Sequence, residues 1–118
     1  MENAIKDKSF KFAIRTVNLY KNLIENKEYV LSKQLLRSGT SIGANVREGL
    51  NAQSQPDFIH KLSIAQKETD ESLYWLELLK ETHYLDEKEY NSIYSDCSEL
   101  LKILKSIIIT TKNKKNNP

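Results

Sequence analysis

The stretch LSKQLLRSGTSIGANVREGL, Leu31 to Leu50, places small and polar residues where a helix ordinarily carries bulky apolar ones. Leu31, Leu35, Ser38, Ile42, Asn45 or Val46, and Gly49 recur with a period of about 3.6 and define one face that changes from bulky to small along its length. Inside a helix Gly39 and Gly43 each cost about 1 kcal/mol relative to Ala, so their presence beside Ser38, Thr40 and Ser41 predicts a second backbone packed very close. A polar loop over Ser38–Asn45, splitting the segment in two, is the competing reading. The apolar period resumes in phase beyond it and no proline interrupts it, which favours one continuous helix.

With 118 residues the chain has room for one domain and one core. It has only 3 Gly and 2 Pro, so little turn chemistry is available for a sheet and an all-α chain is expected. Cys97 has no second cysteine to pair with. No charged start leads into an apolar signal segment, and apolar runs such as Ile107–Ile109 fall far short of the roughly 20 residues that span a bilayer. A soluble cytoplasmic protein is the expectation.

Four helices can be laid out. The first runs from about Asp7 to Asn26, with Phe10, Ala13, Ile14, Val17, Tyr20 and Ile24 as its expected inner stripe. The second starts near Glu28. Ser54 is the expected N-cap of the third, with Pro56 and Asp57 in its first turn, and the helix continues to about His83. Its inner stripe is Phe58 or Ile59, Leu62, Ala65, Thr69, Ser72 or Leu73, Leu76 and Leu79. Asp86 and Glu89 have capping-box spacing for the fourth, which turns Tyr90, Ile93, Cys97, Leu100 or Leu101, Leu104 and Ile107 or Ile108 inward. Lys112–Pro118 reads as a flexible, frayed basic tail. Short connections make successive helices antiparallel neighbours, which predicts an up-down-up-down four-helix bundle as a single domain.

LRSGTSIGANVREGL, followed by FIHKLSIAQKETDESLYWLELLKETHYL, resembles the bacterial four-helix-bundle family named for proteins encoded in intervening sequences of 23S ribosomal RNA genes. SIGANVREG at Ser41–Gly49 and ETDESLYWLELL at Glu68–Leu79 are the most specific segments, and the resemblance spans nearly the whole chain. It implies an antiparallel bundle that assembles into a ring-like homopentamer. It also implies kinship with the accessory variability proteins of diversity-generating retroelements, which partner a reverse transcriptase and nucleic acid.

Charge is segregated along the chain. Residues 1–47 carry a net +5, residues 48–99 a net −8 and residues 100–118 a net +5. In the expected bundle the start of the first helix and the ends of the second and fourth share a pole, gathering Lys6, Lys8, Lys11, Arg47, Lys105, Lys112, Lys114 and Lys115. Lys8, Lys11 and Arg15 share a face of the first helix, and Lys33 with Arg37 is an i,i+4 pair on the second. Such a surface, repeated around an oligomer, suits RNA or DNA phosphates. Two other readings stay open: pairing with the acidic stretches of a neighbouring subunit, and plain solvation. No base-reading module appears, so contact by shape and charge is expected over sequence readout.

Catalytic signals are weak, and no cofactor motif is present. A di-iron bundle needs paired Glu-x-x-His motifs, whereas this chain offers only Asp57-x-x-His60. His60 reads as a surface or interface residue, His83 as a helix-end residue and Cys97 as a small core residue. Asn45, Glu48 and Ser41 could meet the third helix, near Glu68 and Glu71, in a buried polar network that fixes register. Tyr20, Tyr29, Tyr74, Trp75 and Tyr84 read as packing at one bundle end. The expected activity is therefore non-enzymatic: an oligomer binding nucleic acid or a nucleoprotein partner such as a reverse transcriptase. The alternative is a protein scaffold that organises an enzyme without touching nucleic acid.

Overall fold

The computed structural model describes residues 3–116 and consists of four helices: α1 (Ala4–Glu25), α2 (Leu31–Leu50), α3 (Gln55–Glu81) and α4 (Glu87–Asn116). Each helix packs on its neighbour in sequence, and α4 returns to α1, which gives the antiparallel up-down-up-down bundle, 53 × 24 × 22 Å. Its core runs from Ile5, Phe12, Leu19 and Leu23 through Leu35, Ile42 and Val46 to Leu62, Leu76, Leu79, Ile93, Leu100 and Leu104.

The Gly-rich segment is one continuous helix, and its small face explains how α1 sits. A Cβ built on Gly39 would lie 2.6 Å from Thr16 Oγ1 and 2.7 Å from Thr16 Cγ2, and one on Gly43 would lie 3.4 Å from the Ser9 carbonyl oxygen. The expected inner stripe of α1 is corrected here. The buried positions are Ile5, Ser9, Phe12, Thr16, Leu19 and Leu23, whereas Phe10 and Ile14 are 51% and 46% exposed. Close approach to glycine requires small partners, so α1 turns Ser9 and Thr16 inward. Their hydroxyls remain satisfied by donating to the carbonyls of Lys6 and Phe12 in their own helix. The second apolar stripe of α1 is thereby left facing out.

Helix ends follow local chemistry. Asn3 Oδ1 accepts from the Lys6 N–H, and Ser54 Oγ from the Asp57 N–H, with Pro56 in the first turn of α3 as expected. Asp86 Oδ1 accepts from the Glu89 N–H at 2.7 Å. At the ends of α1 and α3, Lys27 and His83 adopt left-handed φ of 65° and 68°. Each closes a Schellman pair, Glu28 N–H to Leu23 C=O and Tyr84 N–H to Leu79 C=O. Residues 112–116, expected as tail, continue α4, since KNKKN contains neither Gly nor Pro to stop it. Asn117, Pro118 and the Lys115 side chain lie outside the described residues.

Glu28 precedes α2 instead of opening it. Its buried carboxylate accepts from the N–H groups of Val30 (3.2 Å), Leu31 (3.1 Å) and Ser32 (2.5 Å), satisfying three orphan donors at the helix start. Burial pushes its pKa up, but the hydrogen bonds from Ser32, Leu31 and Val30 outweigh that and hold it below its ordinary value of 4.5. A carboxyl held low in the folded state stabilises above its unfolded pKa and loses that contribution as pH falls through the folded one. Glu28→Gln is expected to lower stability by about 1 kcal/mol at pH 7. Urea melts of both proteins should converge as the pH falls below about 4.

A buried polar contact joins α2 and α3, though not through the expected residues. Ser38 Oγ and Ser72 Oγ lie 2.8 Å apart, both fully buried, and Ser72 Oγ donates to the Glu68 carbonyl. Asn45 and Ser41 instead bond to carbonyls of their own helix, and Glu48 is exposed, paired with Lys61. Their backbone acceptors at i−4 lie within reach of short polar side chains, so neither Asn45 nor Ser41 needs α3.

Candidate nucleic-acid interface

The antiparallel register brings the start of α1, the ends of α2 and α4 and the start of α3 to one pole. Contacts across it include Arg47 over the Phe10 ring at 5.0 Å and Gln55 Nε2 donating to the Thr111 carbonyl. Lys105, Lys112 and Lys114 are exposed here, joined by exposed Lys6 and Lys11. Lys102 is a further exposed cation of the same helix end. It shares an outward face with Lys105, Ile109 and Lys112 at i, i+3, i+7 and i+10. Ile109 is 60% exposed among them. No acidic residue occurs from Leu100 onward, and none of these lysines makes an ion pair among the described residues.

The other expected cations stand differently. Lys8 Nζ lies 3.2 Å from Glu99 Oε1, and Arg15 Nη1 lies 2.7 Å from Asp96 Oδ2, so α4 supplies a carboxylate for two of the three cations on the α1 face. Arg37 bridges Glu68 (3.2 Å) and Glu71 on α3, and Glu71 also accepts from the Trp75 indole N–H at 3.4 Å. Lys33 is exposed near the opposite pole, apart from the cluster. The carboxylate partners on α3 and α4 were not legible in the sequence. Spacing alone places Asp96 and Glu99 on one face of α4, but pairing them with Lys8 and Arg15 requires the α1–α4 register.

The opposite end has another character. Glu77, Glu81, Asp86, Glu87 and Glu89 are exposed there, and Lys80 Nζ sits 4.8 Å from the Tyr90 ring centroid. Burial, then the neighbouring Tyr94, Glu77 and Glu81, push the Tyr90 phenol up. Tyr74 and Tyr84 are 56% and 42% exposed, so they line the surface instead of filling the bundle end.

Nucleophilic chemistry finds little support. Burial, followed by nearby Asp70 and Asp96, pushes the Cys97 thiol up to about 12, and its Sγ faces the Thr69 carbonyl. His60 and His83 are both exposed. Among the described residues no group of three or more His, Cys, Asp or Glu side chains is arranged to hold a metal, and no helix is long and apolar enough to cross a membrane.

These features define an all-α protein built as an antiparallel four-helix bundle with one cation-rich end. The chain belongs to the 23S rRNA-intervening sequence protein family, whose model matches residues 1–106. It is similar to a crystal structure from Bacteroides thetaiotaomicron VPI-5482, described as a protein of unknown function from the S23 ribosomal protein family. The two are 60% identical over 88% of this chain and 97% of that one, with a TM-score of 0.87. No curated protein matches the chain.

Proposed function

We propose that the protein is a non-enzymatic, self-assembling helical bundle that binds the phosphate backbone of RNA or DNA through the basic end of α4 and the adjoining Arg47. The observation that carries this is the acid-free end of α4, where Lys102, Lys105, Lys112 and Lys114 are exposed without carboxylate partners among the described residues. Phosphate binding by such a surface releases counterions, so affinity falls steeply with salt. With about four contacts per copy, Kd for a labelled RNA hairpin in fluorescence anisotropy should rise about a hundredfold between 50 and 200 mM salt. An absence of binding at 50 mM would turn the reading toward the protein scaffold.

Self-assembly is supported by the outward stripe of α1. Phe10 and Ile14, with Val17, Tyr20 and Ile24 partly buried beside them, form a second apolar face that the chain itself does not cover. Joining copies along it is compatible with the ring of five that the family resemblance implies. Phe10→Gln with Ile14→Gln should reduce the sedimenting species to a monomer of unchanged helicity. An unaltered sedimentation coefficient would place the contact elsewhere.

A further inference from the structure

We infer that the α1 face formed by Lys8, Lys11 and Arg15 is a second polyanion-binding surface, masked by Asp96 and Glu99 of α4. The inference rests on the nucleic-acid reading above and adds a mechanism that limits it. Both masking pairs are half in water: side-chain exposure is 44% and 52% for Lys8 and Glu99, and 35% and 51% for Arg15 and Asp96. Exposed pairs of this kind are held weakly, so a phosphate offering the same charge can replace either carboxylate. A phosphate can also accept two parallel N–H bonds from the Arg15 guanidinium.

The packing allows that exchange without disturbing the core. α1 is pressed onto α2 at Thr16 and Gly39, but its seam with α4 is open. Clefts of about 160 and 140 Å³ flank the Arg15–Asp96 bridge, one over Leu19 and Ile93, the other over Phe12 between Lys8, Lys11 and Glu99. Lys11 lines the second cleft and makes no ion pair among the described residues. Side chains can therefore swing apart while Phe12 and Leu19 stay buried.

Asp96→Asn with Glu99→Gln keeps shape and removes both masks. For the labelled hairpin at 50 mM salt, affinity should rise about two-hundredfold, and the slope of log Kd against log salt should steepen by about 2, because two more cations meet phosphate. Glu81→Gln with Glu87→Gln makes the same change in net charge at the far pole and should alter affinity less than about twofold. An unchanged affinity and slope in the Asp96/Glu99 variant, or an equal gain in the far-pole variant, overturns the inference. Circular dichroism melts of both variants check that the fold is kept. If the wild type fails to bind and the Asp96/Glu99 variant binds, the α4 reading falls and the masked face stands. If neither binds at low salt, both fall.

Discussion

Replacing Lys105, Lys112 and Lys114 together by Glu should weaken hairpin binding about a thousandfold at 50 mM salt, with helicity unchanged. Each phosphate contact contributes about 1.2 decades of affinity at that salt through counterion release, so three lost contacts remove more than three decades before repulsion is counted. The substitutions are not expected to disturb the bundle, because all three side chains are exposed and none is ion-paired among the described residues. Any loss of stability should come from the α4 macrodipole, whose last turns prefer cations, and should stay below about 1 kcal/mol. A variant that binds as tightly as the wild type would show that the phosphate surface lies elsewhere on the bundle.

Gly39→Val is expected to destabilise the bundle at the α1–α2 contact. The β-carbon alone would stand 2.6 Å from Thr16 Oγ1 and 2.7 Å from Thr16 Cγ2, and the two γ-carbons of Val add volume to an interface already closed. Overpacking of this sort costs about 1–3 kcal/mol, and the better helix propensity of Val returns only a few tenths. A net loss of about 1–2.5 kcal/mol corresponds to roughly 4–10 °C in Tm for a chain of this size. Thr16→Ala in the same background should recover part of it by clearing the hydroxyl and methyl. Gly43→Ala is the contrasting case. Its new methyl would lie at an ordinary 3.4 Å from the Ser9 carbonyl, so stability should be unchanged or higher by up to about 1 kcal/mol.

Much of the bundle was legible because its signals are local. Ser54, Pro56 and Asp57 mark the start of α3 wherever the helix later packs, and the period through Leu62, Ala65, Thr69, Leu76 and Leu79 names its buried face. The orientation of α1 was not legible for a physical reason. Hydropathy favours Phe10, Ile14 and Val17 over a stripe containing Ser9 and Thr16, yet α2 glycines reward small residues opposite them. Ile5, Phe12, Leu19 and Leu23, spaced by 7, 7 and 4, were the available signal for the true face.

The candidate site divides in the same way. Lys105, Lys112 and Lys114 could be read as one cluster because they share a helix end, from Leu100 onward, that lacks acids. The pairing of Lys8 with Glu99 and of Arg15 with Asp96 depends on how two helices 81 or more residues apart align, which no local pattern encodes. The same holds for Ser38 and Ser72, whose hydroxyls meet only once α2 and α3 have found their register.

Lysine acetylation of the protein with and without bound RNA hairpin, quantified residue by residue by mass spectrometry, would show whether the α4 end is the working surface. Lys102, Lys105, Lys112 and Lys114 should be protected, while Lys21, Lys27, Lys80 and Lys88 at the far pole react as before. Protection at the far pole, or equal reactivity of the α4 lysines with and without RNA, would contradict that assignment.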